Sequence, residues 1–486
     1  MAGDRGSPLK IRDARRTSIT PTRLPVNVFL VAFGLFSTLS GIWSIYTSGT
    51  RIPTTNGLLF RPDARFSDLA DPLVAVASGN PFAPFVNAVG VVYPEGINYP
   101  PGSVAILKPL LELSPTTTQW ALVAALVIGV TCIVRFVAFS AIPLHTSLVA
   151  PTAVVTAAIV YLNIAAYPLV VLVAGIATLA GVAVSIATRT TLWPLLLTVT
   201  FAAGFPAAIS IDRMNVDIIV FCVSAIGVVL AYRAQPSWSA MILGIAIGLK
   251  IYPVVFLVAL PTGTYRQWFT RLGVSALAAV AITVAGLAMI DQAPMDALVG
   301  FRAALRWVEE TYAIGDAGMG YGASLFTGIK AIHYSFGGLH DGVFARALYT
   351  PWQILWLPVS LLVMIVGVVL RFPTWARLAT AVAIILLASP ITGSYRVLFL
   401  LIPIAFWIDH LIRQRVIVGK IDRFLHLAIA VAFAAMLVPK TFWTIGDSQI
   451  TSETLISPAV LTIILGTAAV SGWRSRTAGD AATHRG

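Results

Sequence analysis

Charge is what this chain has least of: Asp, Glu, Lys and Arg make up 11% of its 486 residues, 58% are hydrophobic, and the mean hydropathy is +0.88. A soluble domain carries about 25% charged residues, so the composition excludes an ordinary soluble globule and requires a lipid environment. Cysteine is almost absent. Cys132 and Cys222 both lie inside apolar runs, which excludes a disulfide framework and a cysteine-based metal site. Also lacking are a P-loop, a His-Glu-x-x-His zinc helix, a serine nucleophile elbow and a dinucleotide glycine fingerprint. The six histidines are scattered, with His333 and His340 together in one polar connector. ATP, metal and NAD chemistry therefore have no support, and no cofactor is expected. The first apolar run follows a basic leader and is long enough to span, so no cleavable signal is expected either.

What is present is a series of long apolar runs at 25–45, 101–113, 117–139, 147–161, 165–187, 193–210, 215–232, 239–260, 268–290, 349–370, 376–389, 396–412, 422–438 and 456–472. They are rich in Ala, Leu and Val and lack strict alternation, which favours helices over barrel strands. Crossing the hydrocarbon takes roughly 20 residues of helix, so the shorter runs at 101–113 and 147–161 are suspected of not crossing fully.

The net charge of +12 raises the question of nucleic acid, but its distribution answers it. Arg5, Lys10, Arg12, Arg15, Arg16 and Arg23 precede the first run, Arg413, Arg415, Lys420 and Arg423 fill one connector, and Arg474, Arg476 and Arg485 follow the last run. Basic flanks of this kind mark cytoplasmic segments; the expected partner is the bilayer, not nucleic acid. The reading is thus a cytoplasmic head at 1–24 without order, one transmembrane domain at 25–472, and a cytoplasmic tail at 473–486, also without order, with connectors 46–100 and 291–345 outside. In that orientation the run at 239–260 starts and ends beside inner basic residues, yet Lys250-Ile-Tyr-Pro253 splits it. Two half-helices that dip in and return would resolve this, and irregular backbone at such depth is tolerated only where protein or a water-filled space surrounds it.

Ionisable groups at a membrane mark function, and the first outer connector supplies Asp63, Asp68 and Asp71 just after the first span. A general base must be ionised and near the reacting hydroxyl. Asp71, followed by Pro72, has an alternative role as a helix N-cap, and Asp63 can pair with Arg61 or Arg65. Asp68 has the least convincing structural role and is favoured as the base, with Asp63 and Asp71 as alternates. For binding an anion, Lys250, Arg396 and Arg213 stand at the edges of apolar runs rather than in basic clusters, and rank in that order. Arg binds phosphate bidentately and Lys as a point charge. The structural alternatives are an Arg213–Asp217 pair one helical turn apart, a snorkelling Lys250, and an Arg396 that caps an outer membrane boundary. In the second outer connector, Tyr312, Tyr321 and Tyr334 among glycines indicate an ordered, aromatic-bearing loop.

Phe66-Ser-Asp68-Leu, Gly79-Asn-Pro-Phe82 and Asn98-Tyr99-Pro-Pro101, followed by Arg213-Met-Asn215-Val-Asp217, Lys250-Ile-Tyr252-Pro253 and Ser389-Pro390 with Tyr395, resemble the GT-C superfamily of glycosyltransferases. The likeness is to the bacterial polyprenol-phosphate-mannose-dependent mannosyltransferases and the first mannosyltransferase of GPI-anchor synthesis, and it is carried mainly by residues 25–260. Counting back from Gly79 puts Asp63 and Arg65 near the family's acidic pair, so Asp63 and Asp68 both stay open; the late segment also lacks a histidine of the bacterial enzymes.

The resemblance implies an all-α polytopic membrane protein, a GT-C-like bundle of about 11–14 spanning or half-spanning helices with two long outer loops. It implies an inverting transfer of a sugar, mannose by family, from a polyprenyl-phosphate donor to a lipid-linked or envelope glycan at the outer face of the plasma membrane. The base would be an outer-loop Asp. Lys250, Arg396 and Arg213 would hold the donor phosphate, and Tyr99, Asn215, Asp217, Tyr252 and Tyr395 would line the site, with no metal and no cofactor. The rival reading is a transporter or flippase of a lipid-linked glycan, for which no internal repeat is visible.

Overall fold

The computed structural model describes residues 24–47, 67–87, 90, 92–138, 167–188, 192–233, 235–260, 264–316, 319, 322–336, 342–413, 419–440, 442 and 450–483. The head at 1–23, the run at 147–161, and Asp63, Tyr321 and His340 lie outside the described residues.

Among the described residues, apart from one two-residue hairpin, Phe85–Val86 (β1) with Val92–Tyr93 (β2), the regular structure is helical. In chain order the α-helices are α1 (Leu24–Thr47), α2 (Ser67–Ala77), α3 (Pro101–Leu111), α4 (Pro115–Ala138), α5 (Tyr167–Thr188), α6 (Trp193–Ala203), α7 (Phe205–Arg213), α8 (Asp217–Tyr232) and α9 (Pro236–Leu249). After a 3₁₀ helix at Tyr252–Ala259 come α10 (Tyr265–Ala288), α11 (Pro294–Val308), a π-helical turn at Glu309–Ile314, α12 (Leu325–Ser335), α13 (Val343–Val369) and α14 (Thr374–Ala388). A second 3₁₀ helix, Ser394–Leu400, leads into α15 (Leu401–Arg413), and α16 (Lys420–Met436) and α17 (Ser452–Thr483) close the chain.

Among the described residues, seven helices are long and apolar enough to cross a membrane, and an eighth span forms if α6 and α7, bent by 43° at Gly204, count as one. Four shorter apolar helices, α3, α8, α9 and α14, accompany them. The chain is therefore an all-α, multi-pass membrane protein. At 1.5 Å per residue, α3 is only about 16 Å long, so the 101–113 run does not cross as a helix. The 239–260 run is indeed broken at Lys250, although its second half is a 3₁₀ helix rather than an α-helix. The tail departs from expectation, because α17 continues to Thr483. Residues 473–483 contain no proline, and extending an existing helix needs no new nucleus.

Two packing features position the site. First, α3 lies wedged against the end of α9: a Cβ on Gly102 would run into the Gly248 carbonyl, so only glycine permits this approach. Ser103 Oγ then donates 2.5 Å to the Leu249 carbonyl, one of the oxygens left without a helical partner where α9 stops. Second, the described parts of the 46–100 and 291–345 connectors are tied to each other and to the bundle. Asp291 N–H donates to the Gly79 carbonyl at 3.0 Å and Ala323 N–H to the Thr392 carbonyl at 2.8 Å. Buried Lys330 reaches the carbonyls of Ala313 and Gly315 at 2.9 and 2.6 Å. Burial draws the Lys330 ammonium down to about 8, opposed by Asp316.

Candidate functional site

The site begins with a proline. Helix α2 starts at Ser67, so Asp71 is inside it and not an N-cap, which corrects the structural role proposed for Asp71. Pro72 follows within the helix. Having no N–H, Pro72 cannot bond to the carbonyl four residues back, and that carbonyl is Asp68's. Tyr99 takes the place of the missing donor, its hydroxyl giving 2.9 Å to the Asp68 carbonyl. Asp68 is thereby held against the segment that enters α3.

The Asp212–Asp217 motif supplies the second side. It is a helix break: α7 ends at Arg213, Met214 takes a left-handed conformation (φ 49°), and α8 starts at Asp217. Asn215 N–H returns 3.1 Å to the Ser210 carbonyl, the six-to-one bond of a Schellman cap. The Asn215 side chain then bridges. Its Oδ1 accepts from Asp217 N–H at 2.9 Å, so its Nδ2 must face outward, and it donates 2.8 Å to Asp68 Oδ2. The backbone thus fixes which end of the amide meets the carboxylate.

Asp217 and Lys250 form the third side. Lys250 caps α9 in an extended conformation (φ −150°, ψ 138°). Its Nζ lies 3.6 Å from Asp217 Oδ1, and Asp217 is fully buried. The same ammonium sits 3.6 Å over the centre of the Tyr99 ring, a cation–π contact. Among the described residues no partner lies at close hydrogen-bonding distance from either carboxylate oxygen of Asp217, so charge is the main tie between it and Lys250. Lys250 is thus committed to a buried carboxylate. The Arg213–Asp217 pair one helical turn apart does not form, since the Met214 break separates the two residues; the Arg213 charge acts on Asp68 instead.

Arg396 completes the cluster from the 3₁₀ helix Ser394–Leu400. Its guanidinium carbon is 5.3 Å from the Tyr252 ring and 6.0 Å from that of Tyr395. Its Nη1 donates 2.5 Å to the Ile391 carbonyl, while its buried Nε makes no hydrogen bond among the described residues. Arg396 is enclosed among aromatic rings, in contrast to the boundary cap considered from sequence. Tyr252 is itself braced edge-on by Phe399 at 5.0 Å.

Asp68 is half-buried, with protein packed closely around its carboxyl. That enclosure, which governs its charge, raises the Asp68 carboxyl above its usual range; Arg213, the Asn215 hydrogen bond and Lys250 oppose the rise. Burial also pushes the Tyr99 phenol well up, so Tyr99 stays protonated and remains a donor. The arrangement provides an enclosed carboxylate of raised basicity beside two cations, Lys250 and Arg213, with an arginine that has donors to spare nearby. Chemically, it can accept a proton and stabilise an anion. No group of three His, Cys, Asp or Glu side chains able to hold a metal occurs among the described residues.

The structure therefore brings together Asp68, Tyr99, Arg213, Asn215, Asp217, Lys250, Tyr252, Tyr395 and Arg396. Asp71 is engaged outside this cluster, its Oδ2 accepting from the Tyr93 hydroxyl at 2.6 Å. Sequence reasoning missed Pro72 as a device that frees a carbonyl, and it missed Tyr93. Pro72 was visible, but its effect depends on where α2 begins. No family model and no curated protein matches this chain, and what sequence and fold together identify is a multi-pass helical membrane protein.

Proposed function

We propose that this protein is an inverting membrane glycosyltransferase of GT-C type that uses a polyprenyl-phosphate sugar at the extracytoplasmic face. The observation that carries this reading is the Asn215–Asp68 hydrogen bond. It joins an acid that follows the first span to a motif from the middle of the chain, beside Lys250 and Arg213. Asp68 Oδ would take the proton of an acceptor hydroxyl. The acceptor oxygen would form a bond to the anomeric carbon as the bond from that carbon to the phosphate oxygen breaks. Its electron pair would leave with polyprenyl phosphate, and the configuration would invert. Preorganised cations stabilise charge that develops on a leaving group. Arg396 is the better phosphate ligand here, because its Nε is uncommitted whereas Lys250 already faces Asp217.

Mannose is the sugar suggested by the resemblance, and a lipid-linked or envelope glycan is the acceptor. The test is to incubate membranes containing the protein, or its Asp68→Asn variant, with radiolabelled polyprenyl-phosphate mannose, glucose and arabinose. Label moving to a glycolipid or glycan with the wild type alone supports the reading. Movement of intact lipid-linked glycan across vesicles, with no transfer of label, would establish the transporter instead.

A further inference from the structure

Beside the site lies an aromatic surface that the proposed chemistry leaves unused. The Tyr93 ring stacks on Phe85 with centroids 4.8 Å apart and planes 4° from parallel. Trp307, near the end of α11, meets Tyr93 edge-on at 5.7 Å and Tyr312 at 6.3 Å. Tyr312 belongs to the π-helical turn Glu309–Ile314. Such turns are rare and occur frequently at functional sites. Phe85, Tyr93, Trp307 and Tyr312 are all half-buried, so each keeps some solvent-exposed surface. Tyr312 is near enough to Tyr93 and to Tyr395 to act on both electrostatically, which places this surface beside the Asp68 cluster.

One carboxylate, the mostly buried Asp71, lies against this surface. Asp71 Oδ2 is taken by the Tyr93 hydroxyl, and no hydrogen bond among the described residues engages its Oδ1. Asp71 follows Asp68 by three residues on α2, so the two lie on one helix face with Cβ atoms about 5–6 Å apart. Burial, reinforced by the hydrogen bond to Asp71, pushes the Tyr93 phenol far up. Tyr93 is therefore a permanent donor that orients Asp71. Partly exposed aromatic faces beside an oriented carboxylate suit one class of ligand in particular. A sugar ring offers an apolar C–H face to the rings and hydroxyl donors to the carboxylate, a charge-assisted pairing. Phosphate suits Asp71 poorly, since its carboxylate would repel an anion.

We propose that Trp307, Tyr312 and Tyr93, with Asp71, form a saccharide subsite that holds the acceptor glycan one helical turn from Asp68. Its role as an acceptor site rests on the glycosyltransferase reading; its capacity to bind saccharide does not. The test measures binding without donor or turnover. The full-length protein in detergent is titrated calorimetrically with disaccharides of mannose, glucose and arabinose, alongside Trp307→Ala, Trp307→Phe and Asp71→Asn.

At least one disaccharide is expected to bind the wild type. Trp307→Ala should weaken it roughly tenfold or more, as loss of an aromatic anchor does. Asp71→Asn should weaken it by about 10-fold to 100-fold, as loss of a hydrogen bond to a charged group does. Trp307→Phe keeps a ring and should restore most of the binding lost in Trp307→Ala. Failure of every disaccharide to bind the wild type overturns the proposal, as does binding indifferent to both Trp307→Ala and Asp71→Asn. Weaker binding in Trp307→Ala that Trp307→Phe does not restore also overturns it. Binding that follows the expected pattern in a protein that transfers no sugar upholds the subsite and removes the transferase reading alone.

Discussion

Asn215→Asp isolates the contact on which the site depends. The substitution keeps an oxygen to accept from Asp217 N–H, so the start of α8 is preserved. It replaces the Nδ2 donor, 2.8 Å from Asp68, with a second carboxylate oxygen. A hydrogen bond to a charged group is worth about 1.5–3 kcal/mol, and a tenfold change in a protonation equilibrium corresponds to about 1.36 kcal/mol. Losing the donor alone should raise the pKa of Asp68 by roughly 1–2, and like-charge repulsion adds to this. The sign follows from the chemistry. The base acts when ionised, so activity falls on the acid side as pH drops through the Asp68 pKa, which burial already lifts above the usual range. In Asn215→Asp that acid limb should move to higher pH by at least about one pH unit, with the plateau at high pH largely recovered. The assay is the pH dependence of transfer from labelled polyprenyl-phosphate sugar. An acid limb that stays in place while activity falls equally at all pH values would refute Asp68 as the titrating base.

Asp68→Asn should reduce transfer by about 10²–10⁴-fold, the usual contribution of a general base. The same variant should melt no lower than the wild type at neutral pH: a carboxyl whose folded pKa is raised stabilises fully below its unfolded pKa, and that contribution is lost as pH rises through the folded value. A clear fall in melting temperature, read by thermal aggregation in detergent, would contradict this. Lys250→Met should express poorly, because it leaves the buried Asp217 carboxylate uncompensated, at a cost of about 3–5 kcal/mol. Lys250→Met combined with Asp217→Asn should restore expression, and equal yields of single and double variants would argue against the ion pair. Arg396→Gln should fold normally but weaken donor affinity, measured as an increase in donor KM at unchanged acceptor KM. Cysteines at Ser78 and Asp296, both exposed, should react with impermeant thiol reagent from outside; labelling from the cytoplasm alone would invert the topology and the proposed site with it.

Much of this protein follows from local sequence because hydrophobicity and charge act locally. A run such as 165–187 is helical wherever it sits in lipid, since its backbone has no other partner. The break at Lys250 was legible for the same reason: Tyr252-Pro253 cannot continue an α-helix, and a lysine in an apolar run needs a reason to be there. Asp68, Asn215 and Lys250 could likewise be singled out one at a time, as polar residues where lipid-facing sequence has no use for them.

Partnership was another matter. Lys250 ranked first as a phosphate ligand until the fold set it 3.6 Å from Asp217, a residue the sequence offered instead to Arg213. Four residues apart looks like one helical turn, and only the left-handed Met214 shows that no continuous helix joins them. Asp71 looked like a cap until α2 proved to start four residues earlier, which also turned Pro72 from a helix signal into the reason Tyr99 meets Asp68. Each of these depends on where a helix stops or which distant segment packs against it. Such choices rest on contacts between residues more than a hundred positions apart, as between Asp68 and Asn215. A sequence presents the donors, acceptors and charges, but burial decides which of them must satisfy one another, and burial is a property of the packed bundle.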